Sequence, residues 1–113
     1  AAFWDGQKLT LTPAYDVCPQ LRSGGQASQA MLIHGNRNAS QLASCLQAVP
    51  NFLLSAAEAK QIIAQQIAAI KAHWDSVCDE ADLNVGERDI LWNGAFLKDF
   101  AFEGLDGELT PGT

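Results

Sequence analysis

The chain has 113 residues, 48% of them hydrophobic, with seven basic against thirteen acidic side chains and a formal charge of −6. That length supports one hydrophobic core and not two, and the apolar fraction excludes wholesale disorder. No apolar run approaches the ~20 residues that span a bilayer, no basic leader with an apolar core opens the chain, and the acidic balance argues against direct nucleic-acid binding driven by overall charge.

Residues 2–12 read as a β-hairpin. Phe3-Trp4 leads into Asp5-Gly6, a dipeptide that supplies positive φ in tight turns, and Leu9-Thr10-Leu11-Thr12 alternates with a strand period. Pro13 ends the pairing because it has no N–H to donate. A loop rich in Pro19, Ser23, Gly24 and Gly25 follows, then a short extended segment, Ala30-Met31-Leu32-Ile33. The abrupt opening Ala1-Ala2-Phe3-Trp4, without a Met, reads like the middle of an element and suggests a piece excised from a longer protein.

Three helices are predicted next, each opened by a capping box. Asn38-Ala39-Ser40-Gln41 starts the first, with Leu42, Cys45, Leu46 and Val49 at helical spacing and Pro50 stopping it near residue 48. Ser55-Ala56-Ala57-Glu58 starts the longest, about 55–81, with the stripe Ala59, Ile63, Ile67, Ile70, Trp74, Val77, Cys78 and Ala81, widened by Ile62. Asn84-Val85-Gly86-Glu87 starts a third, about 85–100. There Ile90, Leu91, Gly94 and Leu97 share one side and Trp92, Phe96 and Phe100 another. Such a helix is buried on several sides of its own core, or it meets a partner. Residues 103–113 read as a frayed, flexible tail.

The charge is uneven. Residues 75–113 hold ten acids against Arg88 and Lys98, whereas residues 1–74 hold Asp5, Asp16 and Glu58 against five bases. Any anion site therefore belongs in the first two thirds of the chain, and the acidic end reads as solvated surface. Cys18, Cys45 and Cys78 are odd in number and far apart, which points to a reducing, cytoplasmic compartment rather than a disulfide framework. With His34 and His73 they form no zinc spacing. Cys78 fits the stripe as a small hydrophobe, His34 a turn, and His73 the stripe's edge. Ser23 and Ser28 lie in a loop of the kind a kinase can phosphorylate.

The segment that stands out is Leu11-Thr12-Pro13-Ala14-Tyr15-Asp16-Val17. A strand runs into a proline-stiffened turn that carries a lone carboxylate, in a part of the chain with few other acids. Asp16 reads either as a turn-capping residue or as a metal ligand, since Mg²⁺ takes one or two carboxylates together with substrate phosphates.

The run Ala1-Ala2-Phe3-Trp4-Asp5-Gly6, then Leu9-Thr10-Leu11-Thr12-Pro13-Ala14-Tyr15-Asp16-Val17-Cys18-Pro19, resembles the C-terminal part of HipA-type toxin serine/threonine kinases. The similarity continues through Ala30-Met31-Leu32-Ile33-His34-Gly35 and the helices to about Phe102, so it covers most of this chain but only the last quarter or so of such a kinase. The resemblance implies a mainly α fold: a small β-hairpin at the N-terminal end, then a three-helix C-lobe piece of a divergent protein-kinase-like fold, spanning residues 1–102. It implies that Asp16 is the metal ligand, holding Mg²⁺ against the β- and γ-phosphates of ATP, and that Tyr15 helps to line the ATP site. The family's catalytic Asp, metal-binding Asn, nucleotide-covering loop and lysine would all precede Ala1. One carboxylate cannot catalyse without them, so the fragment alone is expected to be inactive and to bind neither ATP nor Mg²⁺ usefully. Kinship further implies three partners: the upstream part of its own kinase domain, a HipB-like DNA-binding antitoxin, and a substrate protein of the translation machinery such as glutamyl-tRNA synthetase. No membrane partner is implied. The alternative reading is a non-catalytic helical interaction module that docks a partner through Trp92, Phe96 and Phe100.

Overall fold

The computed structural model describes residues 1–105, a helical body preceded by a two-stranded antiparallel hairpin. Strands β1 (Ala2–Trp4) and β2 (Leu9–Leu11) pair Ala2 with Leu11, Phe3 with Thr10 and Trp4 with Leu9. In the connecting turn only Gly6 has a positive φ, of 95°. Asp5 contributes its carboxylate instead: Oδ1 accepts the N–H groups of Gln7 and Lys8, each at 2.8 Å. These two donors hold the Asp5 carboxyl below its ordinary pKa.

Two expectations for the following stretch give way. Ala30-Met31-Leu32-Ile33 forms no strand; the pairing falls on its flanks, as single bridges between Ser28 and Ala39 and between His34 and Arg37. Asn38 does not cap a helix either. Its Nδ2 donates to the Gln29 carbonyl at 3.0 Å while the Gln29 N–H donates to the Asn38 carbonyl at 2.6 Å, so a cross-loop clasp holds the side chain that the capping box needed. Helix α1 therefore starts later, at Leu42–Gln47, with Gln41 at its N-cap making no side-chain cap bond.

Pro50 sits at the start of a 3-10 turn, Val49–Phe52, where its missing N–H costs nothing. Leu53, at φ 56°, ends that turn. The next two capping boxes form in full. In α2 (Ala56–Glu80) the Glu58 N–H donates to Ser55 Oγ at 3.1 Å, and the Ser55 N–H donates to Glu58 Oε2 at 2.8 Å. In α3 (Val85–Ala95) Asn84 and Glu87 reciprocate at 3.0 and 2.9 Å. Replacing Ser55 by alanine is expected to destabilise the chain by about 1 kcal/mol in urea titration. Ser55's donors also hold the Glu58 carboxyl below its ordinary value of 4.5. The contribution of the Glu58 carboxylate is therefore full above pH 4.5 and is lost as pH falls through the depressed pKa; Ser55→Ala keeps the backbone N–H that is the main cause and so should keep most of that acid sensitivity.

The α2 stripe is narrower than its periodicity predicts. Ala59, Ile63 and Cys78 are buried and Ile67, Ile70 and Trp74 half-buried, but Ile62, Val77 and Ala81 face solvent. The short α1 packs on α2 and on α4 (Asp99–Phe102), leaving much of the long helix bare. Expected to run to about residue 100, the third helix stops at Ala95. Phe96 is extended and Leu97 has φ 42° before α4 begins. A loop from the other end of the chain causes the break: the Arg22 N–H donates to the Gly94 carbonyl at 3.0 Å, and a Cβ on Gly94 would lie 2.6 Å from Leu21 Cδ2. Lys98 Nζ fastens the same loop by donating to the carbonyls of Arg22 and Gly24, at 3.0 and 3.2 Å.

Among the described residues the core is small: Ala48, Val49, Ala59, Ile63, Cys78 and Phe102, together with Ser44. Ser44 is wholly buried, and its Oγ has no hydrogen-bond partner. Ser44→Ala is therefore expected to stabilise the chain by about 1 kcal/mol, read as a rise in melting temperature, because it removes a desolvated hydroxyl that has no partner. The first residues of the expected tail make contacts. Gln41 Nε2 donates to Glu103 at 3.3 Å and the Leu105 N–H donates to Phe102, so residues 103–105 close a turn against α1. The remainder of that expectation, residues 106–113, lies outside the described residues. No helix among those described is long and apolar enough to cross a membrane.

Candidate functional site at the hairpin exit

β2 delivers Thr12 and Pro13 into an open turn, where Tyr15 and Asp16 come together. The Thr12 N–H donates to the Ala1 carbonyl at 3.2 Å, which ties this turn to the start of β1. Asp16 has φ 56°, a conformation that Asp and Asn tolerate better than most residues. Both side chains are exposed, and together with Ala1, Leu11 and Thr12 they line a shallow recess of about 460 Å³. Among the described residues the Asp16 carboxylate makes no hydrogen bond or ion pair. It does not cap its own turn; that role belongs to Asp5 in the hairpin before it.

The chemistry of this donor set fits one mode of magnesium binding. An accessible, unpaired carboxylate is a hard oxygen ligand, and Mg²⁺ accepts one such ligand when phosphates and water complete its octahedron. No three His, Cys, Asp or Glu side chains gather as a metal site among the described residues.

Other residues marked in the sequence lie apart. His34 is half-buried in a tight turn, its carbonyl accepting the Arg37 N–H at 2.9 Å. His73 is exposed on α2 and its carbonyl accepts Ser76 Oγ at 3.0 Å. Ser23 and Ser28 are both exposed. Cys18 and Cys45 are exposed free thiols, and Cys78 is buried at 2% exposure. Trp92 and Phe96 turn inward: Trp74 meets them at ring-centroid distances of 4.9 and 4.8 Å, tilted by 59° and 60°. Phe100 lies beyond them in the short α4.

Sequence reasoning missed a cavity that begins at the residue after Asp16. It encloses about 600 Å³ between the 17–29 loop and the segment joining α3 to α4. Its only sequence-level signal was the basic excess of the first two thirds of the chain. Comparison with protein families, with curated proteins and with solved structures returned no match.

Proposed function

We propose that this chain is the C-terminal helical part of a HipA-like serine/threonine kinase and that it contributes the magnesium-binding carboxylate, Asp16, to an ATP site completed by upstream polypeptide. The observation that carries the reading is an unpaired, solvent-facing carboxylate on a strained turn, at the exit of a hairpin that lacks a body of its own. Ala2, Trp4, Leu9 and Leu11 share one face of that hairpin by the strand register. Trp4 is 64% and Leu11 83% exposed, and Phe3 on the opposite face is 64% exposed. An isolated two-stranded hairpin is marginal in water, and apolar surface on both faces favours a covering partner. In this reading the cover is the preceding kinase lobe.

Asp16 would hold Mg²⁺, and Tyr15 would line the nucleotide side. The metal, when bound, neutralises phosphate charge during phosphoryl transfer. The chain's own task is positional: β2 and Pro13 fix where the carboxylate stands, and the helices brace the loop beyond it through Gly94 and Lys98. The other reading, a docking module using the last helix, draws less support, because Trp92 and Phe96 already pack against Trp74 within the chain. The longer polypeptide tests the proposal. Its sequence should place an Asp, and an Asn about five residues later, just upstream of the hairpin. Purified, it should autophosphorylate with Mg²⁺–ATP while the 113-residue chain shows no Mg²⁺–ATP-dependent rise in melting temperature. A shift in the short chain, or an upstream sequence without those two residues, overturns it.

A further inference from the structure

The cavity behind Asp16 carries a different implication. Its walls include Phe96, Leu97 and Phe100 from the α3–α4 region and Val17 and Pro19 from the loop. Among the described residues its charged lining is Arg22 and Lys98, with no Asp or Glu. This is unusual placement in a chain with thirteen acids and a charge of −6. Lys98 Nζ spends two of its three donors on the Arg22 and Gly24 carbonyls. The Arg22 guanidinium has no partner among the described residues; it is the backbone N–H of Arg22 that holds Gly94. Ser40 Oγ accepts Gln29 Nε2 at 2.9 Å and keeps its own O–H to donate. Free donors of positive or neutral character thus meet aromatic and aliphatic walls in a space of the size that small-molecule sites occupy.

We propose that this cavity binds a small organic anion with an apolar body, the anionic group on Arg22 and Lys98 and the body against Phe96 and Phe100. The site is independent of magnesium and of Asp16. Cys18 lines the cavity and Cys45 does not, so the two exposed thiols supply a built-in reporter and its control.

The probe is 8-anilinonaphthalene-1-sulfonate, an aromatic anion, compared with its uncharged relative N-phenyl-1-naphthylamine, on the full 113-residue chain. The anionic probe is expected to bind saturably and to slow iodoacetamide alkylation of Cys18 several-fold, leaving Cys45 unchanged when both are mapped by mass spectrometry. Arg22→Glu should weaken the anionic probe about tenfold or more, the loss of one charge-assisted hydrogen bond, and the neutral probe by less than about twofold. The thiol-protection experiment needs no variant, so it stands even if Arg22→Glu perturbs the loop. Failure of the saturating anion to protect Cys18 overturns the proposal. So does an Arg22→Glu effect that is the same for both probes.

Discussion

Replacing Trp74 by alanine is expected to cost about 3 kcal/mol. Trp74 is the one ring that touches both Trp92 and Phe96, each at a centroid distance below 5 Å. Trp92 and Phe96 are themselves 6.3 Å apart and nearly parallel, so they meet mainly through Trp74. The cluster is the main apolar link between α3 and the long helix, beside the Arg88–Asp79 ion pair, because Ile90 and Val85 on α3 are largely exposed and no α3 residue is fully buried. Its tilted pairs each add about 0.5–1.5 kcal/mol beyond the area they bury. Half-buried rings lose less on truncation than fully buried ones, which sets the figure at the lower end of the aromatic-to-alanine range. Domains of this size commonly have only about 5–15 kcal/mol in hand, so the substitution should lower the urea midpoint sharply and loosen the segment after Ala95. Trp74→Phe keeps a ring in place and should cost less than half as much. A midpoint unchanged by Trp74→Ala would mean that α3 is held by something other than this cluster.

The parts of this fold that were legible in the sequence are those governed by neighbours in the chain. The Ser55/Glu58 and Asn84/Glu87 boxes join residues three apart, and both formed as read. The hairpin, closed by Asp5 and Gly6, is equally local. Two expectations failed where a more distant group intervened. Asn38 was drawn to Gln29 across a loop, and the third helix was cut at Gly94 by the Arg22 N–H. The first partner lies nine positions away, beyond the three-residue span of a capping box, and the second 72 positions away. The same limit applies to the sites. Tyr15 and Asp16 are adjacent, so their shared recess follows from a motif, whereas Arg22 and Lys98 stand 76 positions apart and meet only after folding. The bare apolar hairpin face was latent in the alternation of Leu9 and Leu11, but periodicity alone does not say whether such a face finds cover within the chain.

On the proposed kinase assignment, Asp16→Ala in the longer polypeptide is expected to reduce phosphoryl transfer on the order of 10³-fold or more, with the folded state intact. The two halves of that expectation have separate physical grounds. Stability should hardly change because the Asp16 side chain is exposed and has no partner among the described residues. What remains is the backbone at φ 56°, where alanine is less comfortable than aspartate by roughly 1 kcal/mol. Asp16→Asn separates this conformational cost from the charge. Asparagine tolerates the same turn and is nearly isosteric, yet it lacks the anionic oxygen that binds magnesium. The proposed role therefore requires Asp16→Asn to melt with the wild type and to be nearly as inactive as the alanine variant. Raising Mg²⁺ should restore part of the activity if the loss lies in metal affinity. Tyr15→Phe, which removes a hydroxyl and no metal ligand, should act mainly on the Michaelis constant for ATP. Autophosphorylation retained at wild-type rate in Asp16→Asn would remove the carboxylate from the metal role and with it the kinase assignment of this hairpin.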